Sequence, residues 1–331
     1  MILTRTIATA VAATAALALA LTGCSQQAEP APSAPAEEVA AWPRTIDIPA
    51  GQGGAASTLT IEAEPLKIAA LDYESAEVLA ELGLADRIVL IPEAVLNPAL
   101  GSHVDALSEV PNVFPVAMEV DAETVIALTP DLAVMSPRHG NEEPIATVLQ
   151  QAGIPALQLP ASWTSPDTLA TNIELIGQAT GTEQQAATLV EQIESGLAAA
   201  AAGSSSEGPR VLVLTNQAGR PFIAAGHAYP LELLELAGAQ NVSAELGIDR
   251  TGPISAEQIV QANPDGVVLI DMNGTGDRMY AELLANPAVS SLPAFAEGRV
   301  LRIEGKQVQA LGLTATIDGL KTLADWAASL R

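Results

Sequence analysis

Residues 121–136, Asp-Ala-Glu-Thr-Val-Ile-Ala-Leu-Thr-Pro-Asp-Leu-Ala-Val-Met-Ser, decide the fold because the chain repeats them. Residues 255–270 read Ser-Ala-Glu-Gln-Ile-Val-Gln-Ala-Asn-Pro-Asp-Gly-Val-Val-Leu-Ile, at an offset of 134 positions (255 − 121). Each copy begins with a helix N-cap residue, Asp121 or Ser255, and continues as two turns of amphipathic helix. A Pro-Asp turn then ends the helix and begins an apolar strand. Two copies this far apart indicate two similar lobes.

The sequence around both copies alternates apolar strands with amphipathic helices, and Gly and Pro stand at the joints. That alternation is typical of a mostly parallel sheet covered by helices. Between the copies lies an alanine-rich segment with apolar residues on one helical face. We therefore predict an α/β fold with two lobes, 66–180 and 205–331, joined by one long helix within 181–204. Each lobe presents a glutamate, Glu123 or Glu257, at the same place on the same kind of helix.

The N-terminal residues predict a membrane-targeting segment followed by a tether. Residues 1–24 contain a charged start and an Ala/Leu/Val-rich run that is too short to span a bilayer comfortably. The run ends at Leu-Thr-Gly-Cys24, which resembles the lipobox of bacterial lipoproteins. That resemblance implies cleavage before Cys24 and a lipid on its thiol; a general secretory signal is the alternative. Residues 25–65 are rich in Pro, Ala, Glu, Gly and Ser, so we expect a flexible tether.

The composition excludes several functions. The chain carries 39 acidic and 14 basic residues, a formal net charge of −25, which argues against nucleic-acid binding and against a polybasic membrane patch. A single cysteine excludes internal disulfides and thiolate metal clusters. The three histidines lie in separate loops, which disfavours a site for a bare metal ion.

The polar and aromatic residues that follow the predicted strands are candidate ligand contacts, because ligands of open α/β sheets meet the carboxyl ends of the strands. The pair Arg138-His139 is the strongest candidate for a ligand contact, since a cation and an imidazole directly follow a buried strand. The alternative is that both residues lie in a solvated loop. The candidates are Tyr73, His103, Arg138, His139 and Trp163 in the first lobe, and Arg220, His227, Tyr229, Met272 and Lys306 in the second.

Three phrases carry a resemblance to a known family. They are Lys67-Ile-Ala-Ala-Leu-Asp-Tyr-Glu-Ser-Ala-Glu-Val-Leu, Leu128-Thr-Pro-Asp-Leu-Ala-Val, and Ile254-Ser-Ala-Glu-Gln-Ile-Val with Asn263-Pro-Asp. Together with the lipobox and the joining helix, they resemble the solute-binding lipoproteins of bacterial ABC importers for ferric siderophores, haem and cobalamin. The resemblance covers about residues 66–330. It implies two α/β lobes joined by one helix, with the ligand in the cleft between them.

The resemblance also implies partners. In similar proteins a glutamate on each lobe docks into arginine pockets of the two permease subunits, and Glu123 and Glu257 match those positions. A two-fold permease offers two equivalent sites, and a carboxylate meeting a guanidinium is a directional contact. The alternative is that both acids favour a helix start. We expect a monomer that is lipid-anchored on the outer face of the cytoplasmic membrane and works with an ABC permease dimer and its ATPase.

The resemblance leaves three classes of ligand open. Haem requires an axial His or Tyr with Arg nearby, and His139 with Tyr229 or His227 would supply the axial pair. A ferric siderophore arrives already coordinated, so it needs aromatic walls and a few polar groups. Hydroxamate complexes are neutral or cationic, which suits a chain this acidic. We therefore rank a ferric siderophore of low negative charge first, haem second and cobalamin third, and we predict no resident cofactor.

An enzyme and a sensor are the two alternatives to a carrier. The sequence contains no Gly-x-Ser-x-Gly, His-Glu-x-x-His or P-loop motif, and no cysteine after Cys24. We therefore predict that the chain is not an enzyme. A lipid-anchored sensor that binds a ligand and signals to another protein stays an alternative.

Overall fold

The computed structural model describes residues 42–115, 120–137, 142–204, 208–217 and 219–331. The strands are β1 (Arg44–Ile48), β2 (Ser57–Ile61), β3 (Ile68–Ala70), β4 (Ile88–Pro92), β5 (Val113–Phe114), β6 (Leu132–Met135), β7 (Ala156–Gln158), β8 (Arg210–Gln217), β9 (Arg220–Ile223), β10 (Gln240–Asn241), β11 (Gly252–Pro253), β12 (Gly266–Asp271) and β13 (Val300–Glu304). The helices are α1 (Tyr73–Glu81), α2 (Val104–Leu107), α3 (Ala122–Ala127), α4 (Glu142–Gln151), α5 (Pro166–Thr180), α6 (Glu183–Ala201), α7 (Tyr229–Leu236), α8 (Ala256–Ala262), α9 (Ala281–Ala285), α10 (Pro287–Ser290), α11 (Pro293–Ala296), α12 (Gly305–Val308) and α13 (Ala315–Ser329).

The N-terminal lobe is built on a five-stranded parallel sheet with the order β5-β4-β3-β6-β7. β3 lies in the middle, and the chain builds outward first on one side of it and then on the other. β3 therefore adjoins β6 at a topological switch point, where loops after neighbouring strands diverge and leave room for a ligand. All four residues of β6 are buried, as expected for a strand covered on both faces.

The C-terminal lobe repeats this plan with an antiparallel edge. Its sheet has the order β11-β9-β8-β12-β13, and β10 also pairs with the start of β8. β8, β12 and β13 are parallel, whereas β9 returns antiparallel to β8 and β11 pairs antiparallel to β9. The second switch point lies between β8 and β12. The predicted fold of two α/β lobes with mostly parallel sheets is confirmed.

Helix α6 joins the lobes. Its start follows from the end of α5, where Gly181 takes a left-handed conformation (φ 76°) that terminates that helix. The apolar face of α6 is buried and packs against α5 of the first lobe and α13 of the second. As a result, one continuous apolar core extends from β3 of the first lobe to β8 of the second.

Residues 42–65, which the sequence analysis assigned to a flexible tether, are folded in the structure. β1 and β2 form an antiparallel hairpin whose inner face, with Ile46 and Ile61 almost fully buried, packs on the core beside α5. The prediction of a tether was wrong for this part. The many Gly, Ala and Ser residues around β1 and β2 obscured the alternation of apolar and polar residues that is typical of strands. The targeting segment, Cys24 and residues 25–41 lie outside the described residues.

Candidate functional site

A buried carboxylate ties together the strand ends at the first switch point. Asp72 follows β3 and is only 4% exposed. Its two oxygens accept hydrogen bonds from the backbone N–H of Ser75 (2.8 Å), the Ser75 hydroxyl (2.8 Å) and the backbone N–H of Ser136 (2.9 Å). Since Ser75 lies in the first turn of α1 and Ser136 follows β6, one side chain fixes the helix start and both strand ends.

Asn216 performs the same task at the second switch point. Its side-chain oxygen accepts from the backbone N–H of Met272 (2.7 Å), and its side-chain NH2 donates to Asp271 (3.2 Å). Burial acts to raise the pKa of Asp271, but hydrogen bonds from the backbone N–H groups of Gly276, Asn273 and Thr275 and from the Asn216 side chain hold that pKa below its ordinary value. Asp271 is therefore an ionised, fully bonded residue that shapes the loop after β12.

The two lobes touch through the segment that follows β4. The backbone N–H of Lys306 donates to the Ala99 carbonyl (3.0 Å), and its Nζ donates to the Pro98 carbonyl (2.8 Å). The Ser102 hydroxyl donates to the Gly312 carbonyl (3.3 Å). Residues 97–102 therefore connect the ends of β4 and β13 across the lobes. Lys306, a candidate ligand contact in the sequence analysis, is used in this contact.

His103, another candidate ligand contact, is held by α1 instead. Its ring nitrogens lie 2.7 Å from carboxylate oxygens of Glu77 and of Glu81. Hydrogen bonds to Glu77 and then to Glu81 raise the pKa of His103 to about 9, against the opposing effect of burial. The imidazolium ion is thus charged at neutral pH, and its two carboxylates hold residues 97–102 in place through His103. We call Glu77, Glu81 and His103 the His103 cluster.

A pocket of about 550 Å³ opens at the carboxyl ends of β12 and β13, and we call it the β12–β13 pocket. This volume lies within the range of small-molecule sites. Arg302 donates from Nε to both oxygens of Asp277 (2.7 and 2.8 Å), and the hydroxyl of Tyr280 is bonded to the Ile270 carbonyl (2.7 Å). The lining residues are Leu269, Asp271, Gly276, Asp277, Tyr280, Arg302, Ile303, Glu304 and Gln307.

The candidate ligand contacts of the sequence analysis that fall within the described residues lie outside the β12–β13 pocket, and none of them lines it. Tyr73 is half-buried at the start of α1, His227 is exposed, and Arg220 is exposed with its guanidinium 5.4 Å from the Phe222 ring centroid. Arg138 and His139 lie outside the described residues. The roles of all these residues stay predictions.

Trp163 and Tyr229 are buried rather than open to solvent, at 5% and 2% exposure. Burial raises the pKa of Tyr229 to about 12, and the neighbouring Thr316 hydroxyl moderates the rise. Even so, neither the Tyr229 hydroxyl nor the Trp163 ring N–H has a hydrogen-bond partner of acceptable geometry within the described residues. The Ser136 and Thr215 hydroxyls share this condition. Buried polar groups normally find a partner, so a ligand group or a water molecule would satisfy each of these four groups.

Sequence reasoning missed most of the pocket. In the sequence, Asp271 ends an apolar run, where turn residues are common, and no motif beside it marks a ligand site. Asp277, Arg302, Glu304 and Gln307 belong to no motif, and the only signal available was that Glu304 and Gln307 follow a predicted strand.

The repeated glutamates occupy matching positions. Glu123 is the second residue of α3 and Glu257 the second residue of α8, and both side chains are exposed. Each helix is fixed by one fully buried side chain, Val125 or Ile259. The structure thus places two exposed carboxylates at equivalent points of the two lobes.

Residues 68–306 match the periplasmic binding protein family. The chain belongs to this family. Its fold is also found in solved structures: the apo periplasmic heme-binding protein RhuT from Roseiflexus sp. RS-1 superposes with a TM-score of 0.67 at 23% identity, over 80% of this chain and 98% of that one. The family consists of solute-binding proteins, so the prediction that the chain is not an enzyme is confirmed.

Two relatives of this periplasmic binding protein cover most of its length. YvrC of Bacillus subtilis (strain 168), described as an uncharacterized ABC transporter substrate-binding lipoprotein, is 29% identical over 262 residues, 77% of either chain. A cobalamin-binding protein of Halobacterium salinarum (strain ATCC 29341 / DSM 671 / R1) is 28% identical over 302 residues, 88% of this chain and 78% of the relative. The predicted resemblance to solute-binding proteins of this kind is confirmed.

The periplasmic binding protein shows no bare-metal site in its described part, where no three His, Cys, Asp or Glu side chains group as metal ligands would. Within the same part, none of the helices combines the length and the apolar character needed to cross a bilayer.

Proposed function

We propose that this chain is the extracytoplasmic solute-binding component of an ABC importer and that its cargo is a ferric siderophore of low negative charge. Membership of the periplasmic binding protein family supports the carrier role. The relative YvrC is named as an ABC transporter substrate-binding lipoprotein, and the halobacterial relative as a cobalamin-binding protein. The first name supports a role in an ABC importer, and the second supports a metal chelate as the cargo.

The charge of the β12–β13 pocket is the observation that carries the choice of ligand. Three carboxylates, of Asp271, Asp277 and Glu304, share its lining with a single guanidinium, that of Arg302. Because Asp277 already holds Arg302 through both oxygens, little positive charge is left for an anionic ligand. A trianionic catecholate complex would be repelled, whereas a neutral or cationic hydroxamate complex would not.

Haem and cobalamin fit this pocket less well. Haem carries two propionates, and those need cations that the pocket does not supply. Cobalamin is favoured by the halobacterial relative and by its lack of strong negative charge. However, a corrin with its nucleotide tail is bulky for a pocket of about 550 Å³. The hydroxamate complex therefore stays first, and cobalamin becomes the second candidate.

A thermal-shift panel tests the ligand. The purified protein is heated with ferrioxamine B, ferrichrome, a ferric catecholate, haem or cobalamin. A ligand at about 100 times its Kd stabilises the folded state by about 2.7 kcal/mol, so the midpoint of unfolding rises clearly. We expect the hydroxamates to give the largest rise. A larger rise with cobalamin, or a haem Soret band lost in His139→Ala, would contradict the proposal.

We also propose that Glu123 and Glu257 dock on the permease. Both are exposed, both follow an N-cap, and they occupy equivalent places in the two lobes. A dimeric permease presents two equivalent sites, and a pair of related carboxylates matches that symmetry. Charge-assisted pairing with arginines would give each contact its direction.

Charge reversal at both glutamates tests docking. We expect Glu123→Lys with Glu257→Lys to abolish uptake of the radiolabelled iron chelate while its Kd for the purified protein is unchanged. The matched control reverses two exposed glutamates of α6, Glu191→Lys with Glu194→Lys, and should retain uptake. Normal uptake by the first double variant rejects the docking role.

The lipid anchor is proposed at Cys24 on the strength of the lipobox, in agreement with the lipoprotein description of YvrC. Replacement of this cysteine should release the protein from the membrane. We expect Cys24→Ser to move the protein from the membrane fraction to the soluble fraction of cells. Continued membrane association of Cys24→Ser would contradict lipidation there.

A further inference from the structure

The hairpin of β1 and β2 lies outside residues 68–306, which match the family, yet its tip is hydrogen-bonded to the segment that leads to Trp163, a candidate ligand contact of the N-terminal lobe. The tip consists of residues 49–56 and turns at Gly51–Gly54, where two backbone hydrogen bonds join Gly51 and Gly54 (2.9 and 3.1 Å). It reaches the segment that follows β7. That segment, residues 158–162, leads directly to Trp163.

Four hydrogen bonds join the tip to this segment. The Gly53 N–H donates to the Pro160 carbonyl (3.0 Å), and the Gln158 side chain donates to the Gly53 carbonyl (2.5 Å). The Gln52 side-chain oxygen accepts from the Ser162 hydroxyl (2.6 Å) and from the Ser162 backbone N–H (3.4 Å).

The approach is close enough to require glycine. A Cβ placed on Gly53 would lie 2.2 Å from the Leu159 carbonyl oxygen, and one on Gly51 would lie 2.2 Å from the Pro160 carbonyl oxygen. Both obstacles are backbone atoms, which cannot move aside as a flexible side chain would. The contact between tip and segment is thus backbone against backbone and depends on the two glycines.

Helix α5 also bonds residues 158–162. The Asn172 side chain donates to the Ala161 carbonyl (2.9 Å), and the inner face of β1 packs beside α5. Residues 158–162 are therefore fixed between the hairpin tip and α5. Trp163 follows at once, with its ring N–H buried and without a partner in the described part of the chain. A ligand group or a water molecule would satisfy it.

We propose that the hairpin tip, through Gln52 and Gly53, positions the segment after β7 so that Trp163 is held ready for the ligand. Gln52 and Gly53 are positioning residues, since they act through residues 158–162 and not on the ligand. A preformed wall lowers the entropy lost on binding, so loosening it weakens the affinity even where no ligand contact is removed. The part of this proposal that concerns ligand affinity rests on the proposed function. The part that concerns the position of Trp163 does not.

Two variants and one reporter test this role. Gly53→Ala introduces the clash with Leu159, and Gln52→Ala removes the acceptor for Ser162 without adding atoms. Trp42→Phe with Trp326→Phe leaves Trp163 as the only tryptophan of the chain. In that background, we expect both variants to increase acrylamide quenching of Trp163 and to weaken ferrioxamine B binding about tenfold, the equivalent of about 1.4 kcal/mol.

Thr58→Ala, an exposed position of β2 away from the tip, is the matched control and should change neither quenching nor binding. Unchanged quenching in both tip variants overturns the positioning role. Increased quenching with unchanged affinity limits the tip to a structural function and also overturns it. If wild-type protein binds no ligand of the panel, the proposed function fails, while the quenching result still decides whether the tip holds Trp163.

Discussion

The two copies of the repeated segment share a backbone but are attached to their lobes differently. Thr129 and Asn263, which are 134 positions apart, both take left-handed conformations, with φ 49° and φ 38°. Asp131 and Asp265 both accept a backbone hydrogen bond from the start of the neighbouring strand, at Lys67 (3.0 Å) and Arg210 (2.8 Å). The helix-turn-strand unit is therefore duplicated down to individual hydrogen bonds.

The attachments around the unit are not duplicated. In the C-terminal lobe, Ser255 and Gln258 form a complete capping box at the start of α8. Arg210 donates to the Ala262 (2.9 Å) and Asn263 (3.1 Å) carbonyls at its end. In the N-terminal lobe, the cap of α3 is a single bond, which the Glu123 N–H donates to the Asp121 carboxylate (3.3 Å).

The N-terminal lobe places its charges instead at the strand ends and on α1, through Asp72 and the His103 cluster. The two copies therefore keep the same turn conformation and the same hydrogen bond from the turn Asp to the neighbouring strand, whereas the charged groups around them differ between the lobes. Both lobes carry charged groups at the carboxyl ends of their strands, and in the C-terminal lobe Arg210 also bonds the end of the repeated helix at the opposite end of the strands.

The largest expected effect comes from exchanging the two residues that tie the switch points. Asp72→Asn keeps the shape but replaces an acceptor oxygen with NH2, which leaves a buried backbone N–H facing another donor. Asn216→Asp places a second carboxylate 3.2 Å from Asp271. We expect each change to lower the free energy of unfolding by about 2–3 kcal/mol, measured by urea denaturation at pH 7.

The two variants should differ in their dependence on pH. Asn216→Asp should recover stability as the pH falls below about 5, where one of the paired carboxylates becomes protonated, whereas Asp72→Asn should not. Asp318→Asn, at an exposed position of α13, is the control and should be close to neutral. If the two exchanges cost no more than this control, Asp72 and Asn216 do not hold the switch points together.

The His103 cluster gives the next effect, and it belongs to the N-terminal lobe alone. The pKa of His103 is raised from 6.5 to about 9, so its protonated form stabilises the folded state fully below about pH 6.5. This stabilisation is lost as the pH rises to about 9. We expect His103→Gln to cost about 1–2 kcal/mol at pH 6, allowing for solvent screening of the partly exposed ring, and little near pH 10.

Urea denaturation of wild type and His103→Gln at pH 6, 7.5 and 10 measures this difference. His227→Gln is the matched control in the other lobe, because His227 is exposed. We expect His227→Gln to follow the wild type at every pH. A loss in His103→Gln that is the same at pH 6 and pH 10 would show that the ring acts by packing and not by charge.

Much of the fold could be predicted from the sequence because its signals are local. The Pro-Asp turn, the N-cap residues Asp121 and Ser255, and the apolar run of β12 report their own conformation. The hairpin could not be predicted in this way, since β1 and β2 are stabilised by packing beside α5, which is distant in sequence. The same holds for the β12–β13 pocket: Asp277 and Arg302 meet only when β13 is placed beside β12.

Candidate site residues were predicted less well for a related reason. The rule that ligands meet the carboxyl ends of strands selects a position along the chain but not the direction of a side chain. His103 satisfies the rule, yet it points to Glu77 and Glu81. Lys306 satisfies it too, yet it bonds the Pro98 carbonyl of the other lobe.

The smallest expected effect tests the shared backbone of the two copies directly. Left-handed conformations cost L-residues about 1–2 kcal/mol, and asparagine tolerates them far better than a β-branched residue. Thr129 therefore bears a strain that Asn263 avoids, although both stand before a proline in the same turn.

Exchanging the two residues should move stability in opposite directions. We expect Thr129→Asn to raise the free energy of unfolding by about 0.5–1 kcal/mol and Asn263→Thr to lower it by a similar amount, measured by urea denaturation. Thr58→Asn, at an exposed strand position, controls for the change of side chain alone. Since the backbone bond from residue 129 to Ile126 and that from residue 263 to Ile259 are kept in every variant, only the conformational preference changes. Shifts of the same sign in both variants would mean that the two turns, despite their matching dihedral angles, are held by different forces.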